Sequence, residues 1–394
     1  MNRRNFLRNT GLASATLFVP QFLSGYTNKG FTNNGKNLVV IQWSGGNDGL
    51  NTVVPFHNDL YYRNRPNLAI KKSDVLKLND ELGFNPAMSG LKSLYDDGLV
   101  SIVNNVGYPN PDRSHFRSMD IWHTASNSNE YWRTGWLGRY LDESCKDCDA
   151  HTALEIDDTL VLALKGETRS GFAVSNPIQL KQRTQNKFLE QITHHHEHHH
   201  EENVAYLYKT LISTQASANY LFDQSRIYKT KTTYPATGIG ADLKKIAGLI
   251  IANTDTKIYY VNMGGFDTHA AQKGQQERLL KQYSEAIAVF VEDLKDNEKL
   301  DDTLIMTFSE FGRRVKENAS RGTDHGTANN VHFIGGKLKK PGIFNEAPNL
   351  SNLDHGDLIY SVDFRKIYAS VLKNWLDVEP ESILNQKFKP LNLV

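Results

Sequence analysis

Five stretches of this 394-residue sequence place acids, imidazoles or a hydroxyl in polar loops that follow apolar runs. "SGGNDGLN" offers Asp48, and "VGYPNPDRSH" offers Ser114 with Arg113 and His115 on either side. "GGFDTH" offers Asp267 and His269, "TFSEFGRR" offers Ser309 and Glu310, and "RGTDHGTANN" offers Asp324 and His325. Taken singly, each has a plain reading: a Gly-Gly-Asn-Asp turn is most often only a turn, a loop histidine mostly meets water or backbone, and Ser114 caps a helix. Taken together, they put carboxylates and imidazoles at several strand ends. Those donors suit divalent zinc, manganese or iron. Two such ions about 4 Å apart clamp an ester, one activating the nucleophile and one stabilising the leaving oxygen. Ser114 suits the nucleophile role, because a hydroxyl at a helix amino end lies in positive potential with backbone N–H groups aimed at an incoming anion.

These loops must be held by a rigid scaffold, and the pattern supplies one. "NLVVIQW" (37–43), "LVSIVNN" (99–105), 257–262, "TLIMTFS" (303–309) and "VHFIGG" (331–336) read as strands. Segments 86–98, 114–124 with Ser114 as N-cap, 241–253, 272–297 and 363–376 read as helices. Strands that are apolar throughout and alternate with helices imply a mostly parallel sheet covered on both faces, a doubly wound α/β fold. Ligands on such a sheet bind at the carboxyl ends of the strands. The stretch 125–240 reads differently, as a polar, helix-rich insertion. Its tract "HHHEHHH" (194–200) holds six of the fourteen histidines; it reads as a solvated segment that binds metal only adventitiously.

Forty-five basic against 44 acidic residues give a net charge of +1 with no long single-sign stripe. That argues against nucleic acid or an anionic membrane as the main partner. The opening "MNRRNFLRNTGLASATLFVPQFLSG" resembles a twin-arginine export signal over residues 1–30. It predicts export in the folded state through the twin-arginine translocase to the periplasm or beyond, with an uncleaved anchor as an alternative and an ordinary Sec signal as the plainer reading. The two cysteines, Cys145 and Cys148, are expected as a short-range disulfide or as surface thiols.

"NLVVIQWSGGNDGLNTVVPF", "RSHFRSMDIW", "GGFDTH", "TFSEFGRRVKEN", "GTDHGTANN" and "DLIYSVDFRKIYASVLKNWL" together resemble the domain-of-unknown-function family 1501, over nearly the whole chain after the signal. The resemblance implies the alkaline phosphatase and sulfatase superfamily, whose fold is a doubly wound α/β sandwich and whose site holds two metals. By that likeness Asp48 is the first acidic ligand, Ser114 the nucleophile, and Asp267 with His269 the first Asp/His pair. Glu310 falls where an Asp-His pair is usual, and His325 with Asp324 is the late ligand. Two departures stand out: Asp267 and His269 are closer in sequence than the superfamily's usual spacing, and Phe311 follows Glu310 where a histidine is usual. His115 is a candidate to replace that imidazole. The Cys/Ser-x-Pro-x-Arg motif of formylglycine sulfatases is absent, which excludes that mechanism.

The resulting expectation is a single domain over 37–394 acting as an exported, metal-dependent hydrolase of phosphate or related esters. Its substrate would be a small or polymer-linked anionic ester. Ser114 would attack, and Asp48, His115, Asp267, His269, Glu310, Asp324 and His325 would hold zinc or manganese, with calcium a further option. Arg113, or Arg313 and Arg314, would neutralise the non-bridging oxygens. The alternative is a secreted binding or assembly protein that keeps the fold with a degenerate site. A redox enzyme is disfavoured, since no C-x-x-C-H, iron–sulfur spacing or G-x-G-x-x-G is present.

Overall fold

The computed structural model describes residues 35–145, 148–184, 202–228 and 230–394. The export-signal reading of residues 1–30 and the histidine tract 194–200 lie outside the described residues.

Strand β1 (Asn37–Trp43) is buried at every position because it lies between two apolar layers. Val39, Ile41 and Trp43 point into one core and Leu38 and Val40 into the other, so the period-two alternation is apolar on both sides. Around it stand β2 (Val100–Gly107), β3 (Ala153–Glu155), β4 (Phe172–Ala173), β5 (Ile258–Met263), β6 (Thr303–Phe308), β7 (Asn329–Ile334), β8 (Gly342–Ile343) and β9 (Val362–Asp363). The spatial order is β8-β2-β7-β6-β1-β5-β3-β4, with β9 also paired to β2. Parallel pairs predominate, including β1 with β5 and with β6; β7 alone runs antiparallel to both its neighbours.

Helices cover the two faces. On one side α2 (Ser89–Asp96), α6 (Gly238–Ile251) and α7 (Gln272–Asp296) bury Leu91, Ile246, Leu280 and Ile287. On the other, α3 (His115–Thr124), α4 (Trp136–Ser144) and α8 (Phe364–Ser370) bury Ile121, Trp136 and Phe364. A four-residue helix, α1 (Gly49–Thr52), follows β1. Within the stretch 125–240, the long helix α5 (Glu202–Ile227) dominates. That stretch is less separate than its polar composition implied, because β3 pairs with β5 and extends the central sheet. Three residues of strand are too few to show a period, which is why the pattern hides it. Cys145 and Cys148 are joined as a disulfide.

One consequence of the topology positions the site. β2, β6, β1 and β5 all end at the same edge. Since β7 runs antiparallel, its amino end lies at that edge too. The loops carrying Ser114, Asp48, Asp267 and Glu310 therefore meet the segment Asp324–His325, which precedes β7 rather than following a parallel strand.

Candidate metal centre and hydroxyl

The loop after β1 and the loop after β5 are in direct contact. Ser44 N donates to Met263 O and Phe266 N to Ser44 O. A side chain on Gly45 would lie 2.4 Å from the Asp267 backbone nitrogen, and its φ of +119° favours glycine besides. In the "GG" before Asp267, only Gly265 needs to be glycine on backbone grounds, at φ +103°. These turns aim Asp267 at the sheet edge, 48% exposed.

Three imidazoles gather on that carboxylate. His115 Nε2 lies 3.5 Å from Asp267 Oδ2, while His269 Nε2 and His325 Nε2 lie 3.0 and 3.3 Å from Oδ1. The ligand atoms of His115, Asp267 and His325 all fall within 4.8 Å of one another, which is metal-binding spacing. His269 adjoins the group through a 2.9 Å approach of its Nε2 to that of His325.

The opposite ring nitrogens fix the tautomers. His325 Nδ1 lies 2.7 Å from the Arg113 carbonyl, a pure acceptor, so Nδ1 carries the proton. His115 Nδ1 lies 2.9 Å from Glu310 Oε1, which already accepts the Gly45 N–H at 2.8 Å, so that proton is also on the ring. His269 Nδ1 faces Asp324 Oδ1 at 3.3 Å, an oxygen that also accepts from Asn318. Each neutral ring thus presents a bare Nε2 toward Asp267. The buried Nε2 of His115 has no hydrogen-bond partner. Two bare nitrogens 2.9 Å apart, at His269 and His325, repel unless a proton or a cation lies between them. The donor set therefore fits a divalent metal: three imidazoles and a carboxylate, each imidazole braced on its far side by an oxygen, the usual second layer around ligating histidines. Phe311 packs against both His115 and His325, ring centroids 4.9 and 4.8 Å away, while the two imidazoles meet edge to face at 4.3 Å.

Burial acts to raise the Asp267 carboxyl, but the hydrogen bond and charge of Arg313, with the neighbouring imidazoles, outweigh it and hold it down to about 2. Burial lowers the His325 imidazole. The hydrogen bond to Glu310 raises that of His115. A hydrogen bond from Asn318, reinforced by His269, keeps Asp324 low.

Several residues expected as direct ligands or anion binders take other places. Asp48 is buried as the N-cap of α1. Its carboxylate accepts from Leu50 N, from Arg65 at 2.6 Å and from Gln272 at 2.5 Å, which leaves it tied to a guanidinium rather than open to an ion. Glu310 is fully buried and spent on Gly45 N and His115, so it braces a ligand instead of being one. Asp324 braces His269 in the same way. Arg313 is fully buried on five oxygens and faces no substrate space. Arg113 is 45% exposed and pairs with Asp357, as does Arg314. Arg65, Gln272 and Asn318 were not singled out by sequence. Arg65 lies in "YYRNRPN" with no local signal, and its anchor, the Val315 carbonyl, is 250 positions away.

Ser114 sits between two residues that touch the cluster, since His115 contributes its ring and Arg113 its carbonyl. It is the N-cap of α3, yet its side chain makes no capping bond. Hydroxyl and first-turn N–H groups are both left uncommitted at the helix amino end.

A family described as "Protein of unknown function (DUF1501)" matches residues 35–374. No match was found among curated proteins. Similar solved structures include the lipoteichoic acid synthase LtaP from Listeria monocytogenes, at 10% identity and TM-score 0.37, covering 78% of this chain and 67% of that one. A protein in the alkaline phosphatase superfamily from Vibrio parahaemolyticus is 10% identical at TM-score 0.38, covering 80% and 63%. The PsFucS1 sulfatase from Pseudoalteromonas sp. is 11% identical at TM-score 0.38, covering 90% and 70%.

Proposed function

The chain belongs to the DUF1501 family, and from that premise and the site geometry we propose that it is an exported, metal-dependent hydrolase of phosphate or related anionic esters, with Ser114 as nucleophile. The observation that carries this reading is the convergence of three braced imidazole Nε2 atoms on Asp267, with an uncapped helix-terminal hydroxyl next in the chain to one of those imidazoles. His115, Asp267, His269 and His325 would hold the ion. Three imidazoles with one carboxylate suit zinc, then manganese, and suit calcium least. A bound divalent cation would supply Lewis-acid charge to the ester and bring the hydroxyl's pKa within reach.

The chain's own groups do the rest. Glu310, Asp324 and the Arg113 carbonyl keep the protons on the three Nδ1 atoms, so that Nε2 remains a donor of electrons. Ser114 offers its Oγ where the N–H groups of the first turn of α3 point out of the helix, ready to bond the non-bridging oxygens of a tetrahedral ester. Arg113, half-exposed and steadied by Asp357, adds a cation at the rim. Phosphate mono- and diesters and sulfates of nitrophenol, assayed with zinc- and manganese-loaded protein, test the reading. Turnover abolished by both Ser114→Ala and His325→Ala supports it, and inertness toward every ester with the metal bound refutes it.

A second reading is favoured by one observation. Asp48 and Glu310, two of the acids expected to face a cation, are already committed to Arg65 and His115. A secreted binding or assembly protein that keeps the fold and binds metal for structure would look the same there, and it would show metal content without turnover.

A further inference from the structure

Arg313 occupies a position unlike that of any surface arginine. Its side chain has no exposure. Nε lies 2.6 Å from Gly46 O, and one terminal nitrogen lies 2.8 Å from Thr323 O. The other terminal nitrogen meets Gly45 O, Phe266 O at 3.1 Å and Asp267 Oδ1 at 2.7 Å. Five oxygens from the β1 loop, the β5 loop and the segment before β7 thus surround a single positive group. A cage of backbone carbonyls and a carboxylate is the environment that hard cations take in proteins. Here the cation is covalently part of the chain.

The Asp267 carboxylate links this cage to the histidine cluster. Its Oδ1 accepts from Arg313 and also faces His269 and His325, while Oδ2 faces His115. A second buried acid nearby, Asp48, is neutralised in the same manner. Arg65, also without exposure, bonds Asp48 Oδ2, Asn51 Oδ1, Val315 O and Arg314 O. Among the described residues, one group of side chains has metal-binding spacing, and it lies on the histidine side of Asp267.

We infer that the centre takes one metal ion, and that the Arg313 guanidinium is a resident cation filling the place where a second ion would otherwise neutralise Asp267. Arg313 is thereby a positioning residue: it ties three loops together and holds Asp267 for the three imidazoles whether or not metal is bound. This inference rests on the metal-centre reading above and narrows it.

The test is metal stoichiometry on the full chain. Chelator-stripped protein titrated with zinc by calorimetry, with metal counted by plasma mass spectrometry, is expected to take one equivalent at the site, lost in His325→Ala. Two equivalents, both lost in Asp267→Ala, overturn the inference and leave the hydrolase reading standing. No bound zinc overturns both. Arg313→Gly provides a second readout: if it folds, millimolar guanidinium is expected to raise its Tm and restore wild-type zinc affinity, where equal sodium does neither. Failure of that rescue in a folded variant also overturns the inference. Should the variant not fold, the wild-type stoichiometry decides alone.

Discussion

His115 Nδ1 and Glu310 Oε1 lie 2.9 Å apart, although 195 positions separate them in the chain. The fully buried carboxylate fixes the proton on Nδ1 and so turns Nε2 toward Asp267. Replacing Glu310 with Gln keeps the shape and removes the charge. Zinc affinity measured by calorimetry is expected to fall roughly 10-fold or more. The His115 pKa in metal-free protein, followed by NMR, is expected to drop, because the bond to Glu310 is the largest influence raising it. An unchanged affinity would remove Glu310 from the centre.

Ser114→Ala separates chemistry from metal binding. The side chain caps no N–H group, so its removal is expected to leave Tm and zinc content as in wild type. Ester turnover should fall by about 10³-fold or more if the hydroxyl is the nucleophile. Retained turnover would move the nucleophile elsewhere.

Asp48→Asn distinguishes a buried counter-ion from a metal ligand. Arg65 would be left without its charge partner in a fully buried setting. Breaking such a pair from one side costs about 3–5 kcal/mol, visible as a lower urea midpoint. Zinc stoichiometry in the folded protein is expected to stay as in wild type. A lost equivalent of zinc would return Asp48 to the ligand set.

Acid sensitivity should trace to histidines away from the centre. Burial lowers both His123 and His332 to about 4, and both ring nitrogens of His332 lack partners. A folded pKa below the unfolded value of about 6.5 means the unfolded chain binds more protons. Stability from these groups is therefore complete above about pH 6.5 and is lost as pH falls toward 4, up to about 3 kcal/mol for each. Urea unfolding from pH 7 to 4 checks this. His332→Phe, which sits against Trp43 and Phe84, should make the acid limb shallower by about one proton. An identical slope would place the proton uptake elsewhere.

The residues that meet at the sheet edge were legible in the sequence because each follows or precedes a contiguous apolar strand. β1 was readable to the residue; His115 opens the helix that follows β2, and Asp267, His269 and His325 lie in loops flanked by such strands. Fold class followed from the same runs, since a strand buried on both faces must be written in unbroken apolar residues. The roles of the acids were not legible. Asp48, Glu310 and Asp324 look alike as isolated carboxylates in glycine-rich loops. What separates them is whether a guanidinium, a ring N–H or nothing reaches them from a segment far away in the chain. Arg65 reaches Asp48 because the Val315 carbonyl anchors it, and Arg313 reaches Asp267 because three loops close around it. Likewise, only the antiparallel pairing of β7 carries His325 to the edge where His115 stands. Local pattern records which residues are apolar and where the chain turns; charge neutralisation depends on close approach between distant segments, and packing alone decides that.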